Sequence, residues 1–115
     1  MPLSEAFAGT ATIGQTPLSL PNNSTTLTPR TEDGIFQLFL DRSAVQDGDL
    51  FTLKIWEKVT GGGNQQCIAT QPVGGYAGLL PYVTEPYILL HGWDMTLEKT
   101  GGTDRSFSWS IRRVG

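Results

Sequence analysis

One cysteine, Cys67, is all that this 115-residue chain carries. A single thiol excludes an internal disulfide and a cysteine-based zinc site. Histidine is as scarce: His91 stands alone, so it cannot anchor a multi-histidine metal centre. Charged residues make up only 17%, with a net charge of −3. Arg112 and Arg113 form only a small basic end, far short of the concentrated patch that phosphate backbones require, so no nucleic-acid partner is expected. No apolar run approaches membrane-spanning length, so no membrane partner is expected either. Met1-Pro2-Leu3-Ser4-Glu5 lacks the basic start and apolar run of a signal peptide, and the chain is expected to be soluble in the cytoplasm that makes it. Apolar spacing of helical period is missing, as are internal repeats and a dividing linker.

Glycine, threonine and serine are plentiful, which suits short strands and many turns. A chain of this length is one domain and can bury roughly two thirds of its unfolded surface, enough for a core without staples. Its strongest pattern lies at residues 87–114. Trp93, Met95 and Leu97 alternate with Asp94, Thr96 and Glu98. After Thr100-Gly101-Gly102-Thr103-Asp104, alternation resumes with Phe107, Trp109 and Ile111 among serines and Arg112. Period two gives each strand one apolar and one polar face. Gly-Gly suits a tight hairpin turn, so the two strands are expected to pair about Gly102. That pairing sets Met95 opposite Trp109, Trp93 opposite Ile111 and Leu97 opposite Phe107.

Residues 1–9 are weakly patterned and read as a mobile arm. A first strand is expected over 10–13, extended by Leu18-Ser19-Leu20; Pro17 and Pro21 confine that segment to a sheet edge or an arm. Residues 22–28 read as a loop. The dense run 35–40 predicts a strand buried on both faces. Residues 41–48 leave room for a loop or one helical turn. The longest strand is expected over 50–59, with Phe51, Leu53 and Ile55 inward and Thr52, Lys54, Trp56 and Lys58 outward. Gly61-Gly62-Gly63-Asn64 makes a hairpin loop leading to a return strand over 65–73, which Gly74-Gly75 ends. Residues 77–83 read as a loop with packed apolar side chains. The whole chain, with six to eight short strands, predicts an all-β fold: a small antiparallel β-sandwich or jelly-roll-like barrel over residues 31–115, with an extended N-terminal arm and possible edge strand over 1–30.

No residue pattern carries catalysis, a cofactor or a small-molecule substrate, and the chain is not expected to be an enzyme. A serine–histidine–aspartate arrangement would need Asp49 or Asp104 brought to His91 and a strained nucleophile turn; no Gly-x-Ser-x-Gly is present. The acids Asp47, Asp49, Glu57 and Glu98 could supply a glycosidase pair, but Asp47 and Asp49 flank a turn glycine and are explained as backbone caps. Asp47-Gly48-Asp49 lacks the graded spacing of a calcium loop. The glycine triplet is not followed by the residues of a phosphate loop. What remains are surfaces. Trp56 between Lys54 and Lys58 is either roofed by lysine stems or a contact patch. Asp104 and Arg105 are either a solvated tip or a pair for a neighbouring subunit. Leu18 and Leu20 are offered to a partner if their segment is an arm. An exposed indole at Trp56 also leaves a carbohydrate-binding module open.

The stretch Tyr87-Ile88-Leu89-Leu90-His91-Gly92-Trp93-Asp94-Met95-Thr96-Leu97, with Gly102-Thr103-Asp104-Arg105-Ser106 and Trp109-Ser110-Ile111-Arg112, resembles a family of small tailed-bacteriophage proteins. Ala11-Thr12-Ile13-Gly14, Ser19-Leu20 with Ser24-Thr25-Thr26, Asp33-Gly34-Ile35-Phe36-Gln37 and Trp56-Glu57-Lys58 share the resemblance, which covers most of the chain. Members are usually called hypothetical or virion proteins and lie among head genes. The resemblance implies a structural role in the virion and carries over no catalytic residue. The expected function is that of a capsid cement or decoration protein, its partners the major capsid protein and copies of itself, most naturally as a trimer. A neck or tail ring component is the alternative.

Overall fold

The computed structural model describes residues 3–74 and 80–114. Nine strands appear among them: β1 Leu3–Ile13, β2 Leu18–Ser19, β3 Gly34–Asp41, β4 Leu50–Lys58, β5 Gln65–Gly74, β6 Tyr82–Val83, β7 Tyr87–Leu89, β8 Asp94–Gly101 and β9 Arg105–Val114. They form two antiparallel sheets. The first runs β1-β9-β3-β6, with β7 also paired to β3; the second runs β2-β8-β4-β5. The protein is a β-sandwich. The Gly75–Leu79 part of the expected turn and loop lies outside the described residues.

The alternation identifies the core correctly. Trp93, Met95 and Leu97 are buried, as are Phe107, Trp109 and Ile111, and they meet Phe51, Leu53 and Ile55 from β4. Phe36 packs on Trp93 with ring centroids 4.5 Å apart, and Phe51 meets Phe107 edge-on at 4.8 Å. Both core indoles place their N–H: Trp109 donates to the Leu20 carbonyl at 3.0 Å and Trp93 to the Glu32 carbonyl at 2.6 Å. Gly9, on β1 opposite Trp109, lets the backbone lie on that ring; a Cβ there would stand 2.7 Å from it.

The pairing of those core strands differs from expectation. β8 and β9 are not a hairpin; each belongs to a different sheet. Period two says which side chains face inward but not which edge a strand joins. Two apolar stripes can share a face as neighbours, or they can confront each other across the roughly 10 Å between packed sheets. The chain takes the second course. Residues 101–104 form a corner between the sheets, with Gly102 at φ 82°. Asp49 clasps this corner: its carboxylate accepts the Thr103 N–H at 3.0 Å, the Arg105 Nε–H at 2.6 Å and the Gln46 N–H at 2.9 Å. These three donors hold the Asp49 carboxyl well below the usual range, at about 2. A Cβ on Gly102 would meet the Asp49 backbone at 2.7 Å, so the clasp and the glycine are fitted to each other.

The N-terminal segment is extended but is not an appendage. β1 pairs with β9 from Leu3↔Val114 to Ile13↔Arg105, bulging between Glu5 and Phe7, and forms the edge of the first sheet. Its sequence is weakly patterned because only one flank finds a partner and, apart from Phe7 and Ile13, its core-side residues are small: Ala6, Gly9 and Ala11. Leu18 and Ser19 do not prolong β1; they cross to the second sheet and pair with Leu97 and Thr96 at its edge, where flanking prolines are tolerated. The residue 35–40 run is core-facing on one side only, through Phe36, Leu38 and Leu40. Ile35 and Phe39 point away from the core. Residues 82–83, expected in a loop, form β6 against Leu40 and Phe39.

Candidate interaction surface

The expected contact residues separate once placed. Leu18 and Leu20 are buried in the core and cannot meet a partner; sheet pairing turned them inward. Trp56 lies on the outer face of the second sheet, half-buried, and its indole N–H donates to Thr96 Oγ1 at 2.9 Å. Lys54 Nζ sits 5.9 Å from the ring centroid and pairs with Glu98 at 3.3 Å. The aliphatic stem of Lys58 lies against Gly92. Lys54 and Trp56 thus lie together on the outer face of the sheet, while the Lys58 stem turns to Gly92 instead of roofing the indole. At the corner, Arg105 is held by Asp49, and Asp104 pairs with Lys99 at 2.6 Å.

The residues considered for chemistry are not assembled. The His91 N–H donates to the Glu57 carboxylate at 2.9 Å and the His91 carbonyl accepts the Lys58 N–H at 3.0 Å. Asp49 stands at the other end of β4, roughly 30 Å of extended chain away. Among the described residues no cluster of three or more His, Cys, Asp or Glu could hold a metal ion. A polar cleft of about 540 Å³ lies between Thr12, Gln15, Thr16, Lys99 and Asp104, with no aromatic side chain among its lining residues. It therefore offers no stacking platform for a sugar ring.

An apolar surface does appear, on the outer face of the first sheet. Leu3 lies opposite Val114, Val114 opposite Ile35, and Ile35 opposite Ile88. Directly opposed residues share a face, so these four form one row across β1, β9, β3 and β7. At about 4.8 Å per strand the row is roughly 14 Å wide. Leu3 is 75% exposed and Ile88 79%, with Leu90 beside them at 52%. Burying one such side chain fully is worth about 1.5–3 kcal/mol, a gain that folding leaves unrealised at Leu3 and Ile88. Two adjoining hollows, of about 390 and 210 Å³, share Ile35 and Val114 and together make a shallow groove. Arg112 lies along it with its guanidinium 3.7 Å from the centroid of Phe39, and Arg113 beside it pairs with Asp33 at 3.2 Å.

The sequence reading missed this surface. Ile35 lies in a run whose density implies burial on both faces, and Leu3 in a segment whose weak pattern implies a mobile arm. Leu3, Val114 and Ile88 are far apart in the chain, and only strand order aligns them. The available signal was Ile88-Leu89-Leu90, where alternation requires one of two neighbouring apolar residues to face outward.

Fold and surface define an all-β sandwich that offers an apolar face. In structure the chain is similar to the Yersinia pseudotuberculosis-derived mitogen, with a TM-score of 0.56 and 16% identity over 99% of this chain and 86% of that one. At that identity the likeness speaks for the fold alone. No protein-family model and no curated protein matches the sequence.

Proposed function

We propose that this chain is a structural protein of a bacteriophage virion, a capsid cement or decoration protein that binds between major capsid subunits and stabilises the shell. The observation that carries the reading is the open row Leu3–Val114–Ile35–Ile88 on an otherwise well-satisfied sandwich. Contiguous exposed apolar surface marks a protein contact more often than chance exposure does. The resemblance of Leu90-His91-Gly92-Trp93-Asp94 and Gly102-Thr103-Asp104-Arg105-Ser106 to a family of small tailed-bacteriophage proteins that lie among head genes supports a partner within the virion. In this fold those segments are a chain entry into β8 and the clasped corner, so they bear on scaffold and not on chemistry. Many copies on a lattice would multiply a weak individual contact, and a trimer around a local threefold is the natural arrangement.

The test is addition of the protein to empty shells of the corresponding capsid protein. The expected result is saturable binding and a higher shell melting temperature; absence of binding ends this reading. Electron microscopy of labelled particles separates it from a neck or tail component. Label over the whole head supports decoration, whereas label at one vertex or along the tail supports the alternative.

A further inference from the structure

The groove on the outer face of the first sheet has a chemical asymmetry. The five arginines of the chain are Arg30, Arg42, Arg105, Arg112 and Arg113. Arg30 pairs with Glu32, Arg105 with Asp49 and Arg113 with Asp33. Arg42 donates to the Leu80 carbonyl at 2.7 Å. Among the described residues, Arg112 alone has neither a carboxylate nor a carbonyl partner; its one polar contact is a 3.4 Å hydrogen bond from Nε to Ser110 Oγ. Its cross-strand neighbour is Glu5, but that carboxylate accepts the Ser110 hydroxyl at 2.6 Å and forms no ion pair with Arg112. Stacking on Phe39 holds the guanidinium in place while leaving its edge donors open.

We propose that this groove receives an extended segment of a capsid subunit that carries apolar side chains and one carboxylate, the carboxylate binding Arg112. The inference rests on the shell-binding reading above and names the chemistry of its partner. An arginine held by an aromatic ring beside an apolar row complements such a segment in both charge and polarity. A row roughly 14 Å wide matches about four residues of extended chain at 3.3–3.4 Å each. The groove is too open to enclose a small molecule. A lipid surface would call for a cluster of basic residues, and here a single arginine is unpaired.

The experiment measures the affinity of fluorescently labelled protein for empty shells, comparing wild type with Ile88→Asp, Arg112→Gln and the distant control Trp56→Ala. Folding of each is checked by circular dichroism and urea midpoint. Ile88→Asp and Arg112→Gln are expected to weaken binding by about tenfold or more, and Trp56→Ala to bind as wild type. If wild type binds and both groove variants bind equally well, the groove is not the contact, although the decoration reading survives. If wild type does not bind, the decoration reading falls, and a second measurement still decides the groove. That measurement titrates 8-anilinonaphthalene-1-sulfonate, an apolar body carrying one anion. Fluorescence enhancement that Ile88→Asp and Arg112→Gln each reduce supports the assigned chemistry; equal or absent enhancement overturns it. Sedimentation supplies the remaining outcome: a wild-type dimer that Ile88→Asp dissociates would make the occupant a second copy and overturn the proposal.

Discussion

The outer faces of the two sheets carry comparable rows with opposite character. On the first sheet, Leu3, Val114, Ile35 and Ile88 lie side by side, with Leu3, Ile35 and Ile88 exposed and Val114 half-buried between them. On the second, the row is Ser19, Thr96, Lys54 and Thr70. There the polar groups are bonded within the molecule. Thr96 accepts from Trp56, Lys54 meets Glu98, and the Ser19 hydroxyl donates to buried Asp94 at 2.7 Å. The Asn22 amide donates to the Ser19 hydroxyl at 2.8 Å, and Arg30 donates to Asn22 Oδ1 at 2.9 Å. The central row of the second face is bonded by its own chain; the row of the first face is apolar and has no such partners. The contrast separates residues that stabilise the fold from residues left for association, and substitutions on the two faces should report it.

The largest effect sets the scale, because it strikes the core that both faces cover. Trp93→Ala removes the indole between Phe7 and Phe36 and should cost about 3–5 kcal/mol, read as a lowered urea midpoint at unchanged slope. Next comes the second sheet's bonded face. Asp94→Ala leaves the Ser19 hydroxyl and the Met95 N–H without their acceptor and should cost about 1–3 kcal/mol. A loss under half a kcal/mol would mean that this face is not self-contained.

The two aspartates also give opposite responses to acid. Asp49 has its folded pKa lowered to about 2, so its contribution is complete above the unfolded value of about 4 and is lost as pH falls toward 2. Asp49→Asn should flatten the acid limb of stability between those values. Burial raises the Asp94 carboxyl above the ordinary range, so the folded state holds that proton more tightly than the unfolded state. Acidification through the raised pKa therefore favours folding at Asp94. Asp94→Asn should remove this opposing contribution, and acid titrations of the two variants should bend in opposite directions. The smallest effect belongs to the first sheet's open face. Ile88→Ser should change stability by no more than about 0.5 kcal/mol. A cost comparable to Asp94→Ala would show that the row is structural and would remove the ground for calling it a contact surface.

Much of the scaffold was legible along the chain. Phe51, Leu53 and Ile55 alternate cleanly because β4 lies between two strands with its inner face on the core. The glycine-rich loop before Gln65 marks the β4–β5 hairpin because those strands are neighbours in both sequence and space. Pro17 and Pro21 located a sheet edge because a missing donor is tolerated only there. The candidate surface was less legible. Trp56 looked exposed from its phase alone, since periodicity does not record that Thr96 on another strand receives its N–H. Leu18 and Leu20 looked available because prolines around them suggest an arm, while their burial depends on β8 lying alongside.

Sequence alone determined that the chain builds strands and which face of β4, β8 and β9 enters the core, because a period of two is a local property of extended backbone. Tertiary structure alone decided that β8 and β9 part company at the Asp49 clasp, and that Leu3, Ile35, Ile88 and Val114 become neighbours. Strand order and register are long-range choices, settled by how two apolar stripes close over one another, and no local spacing encodes them.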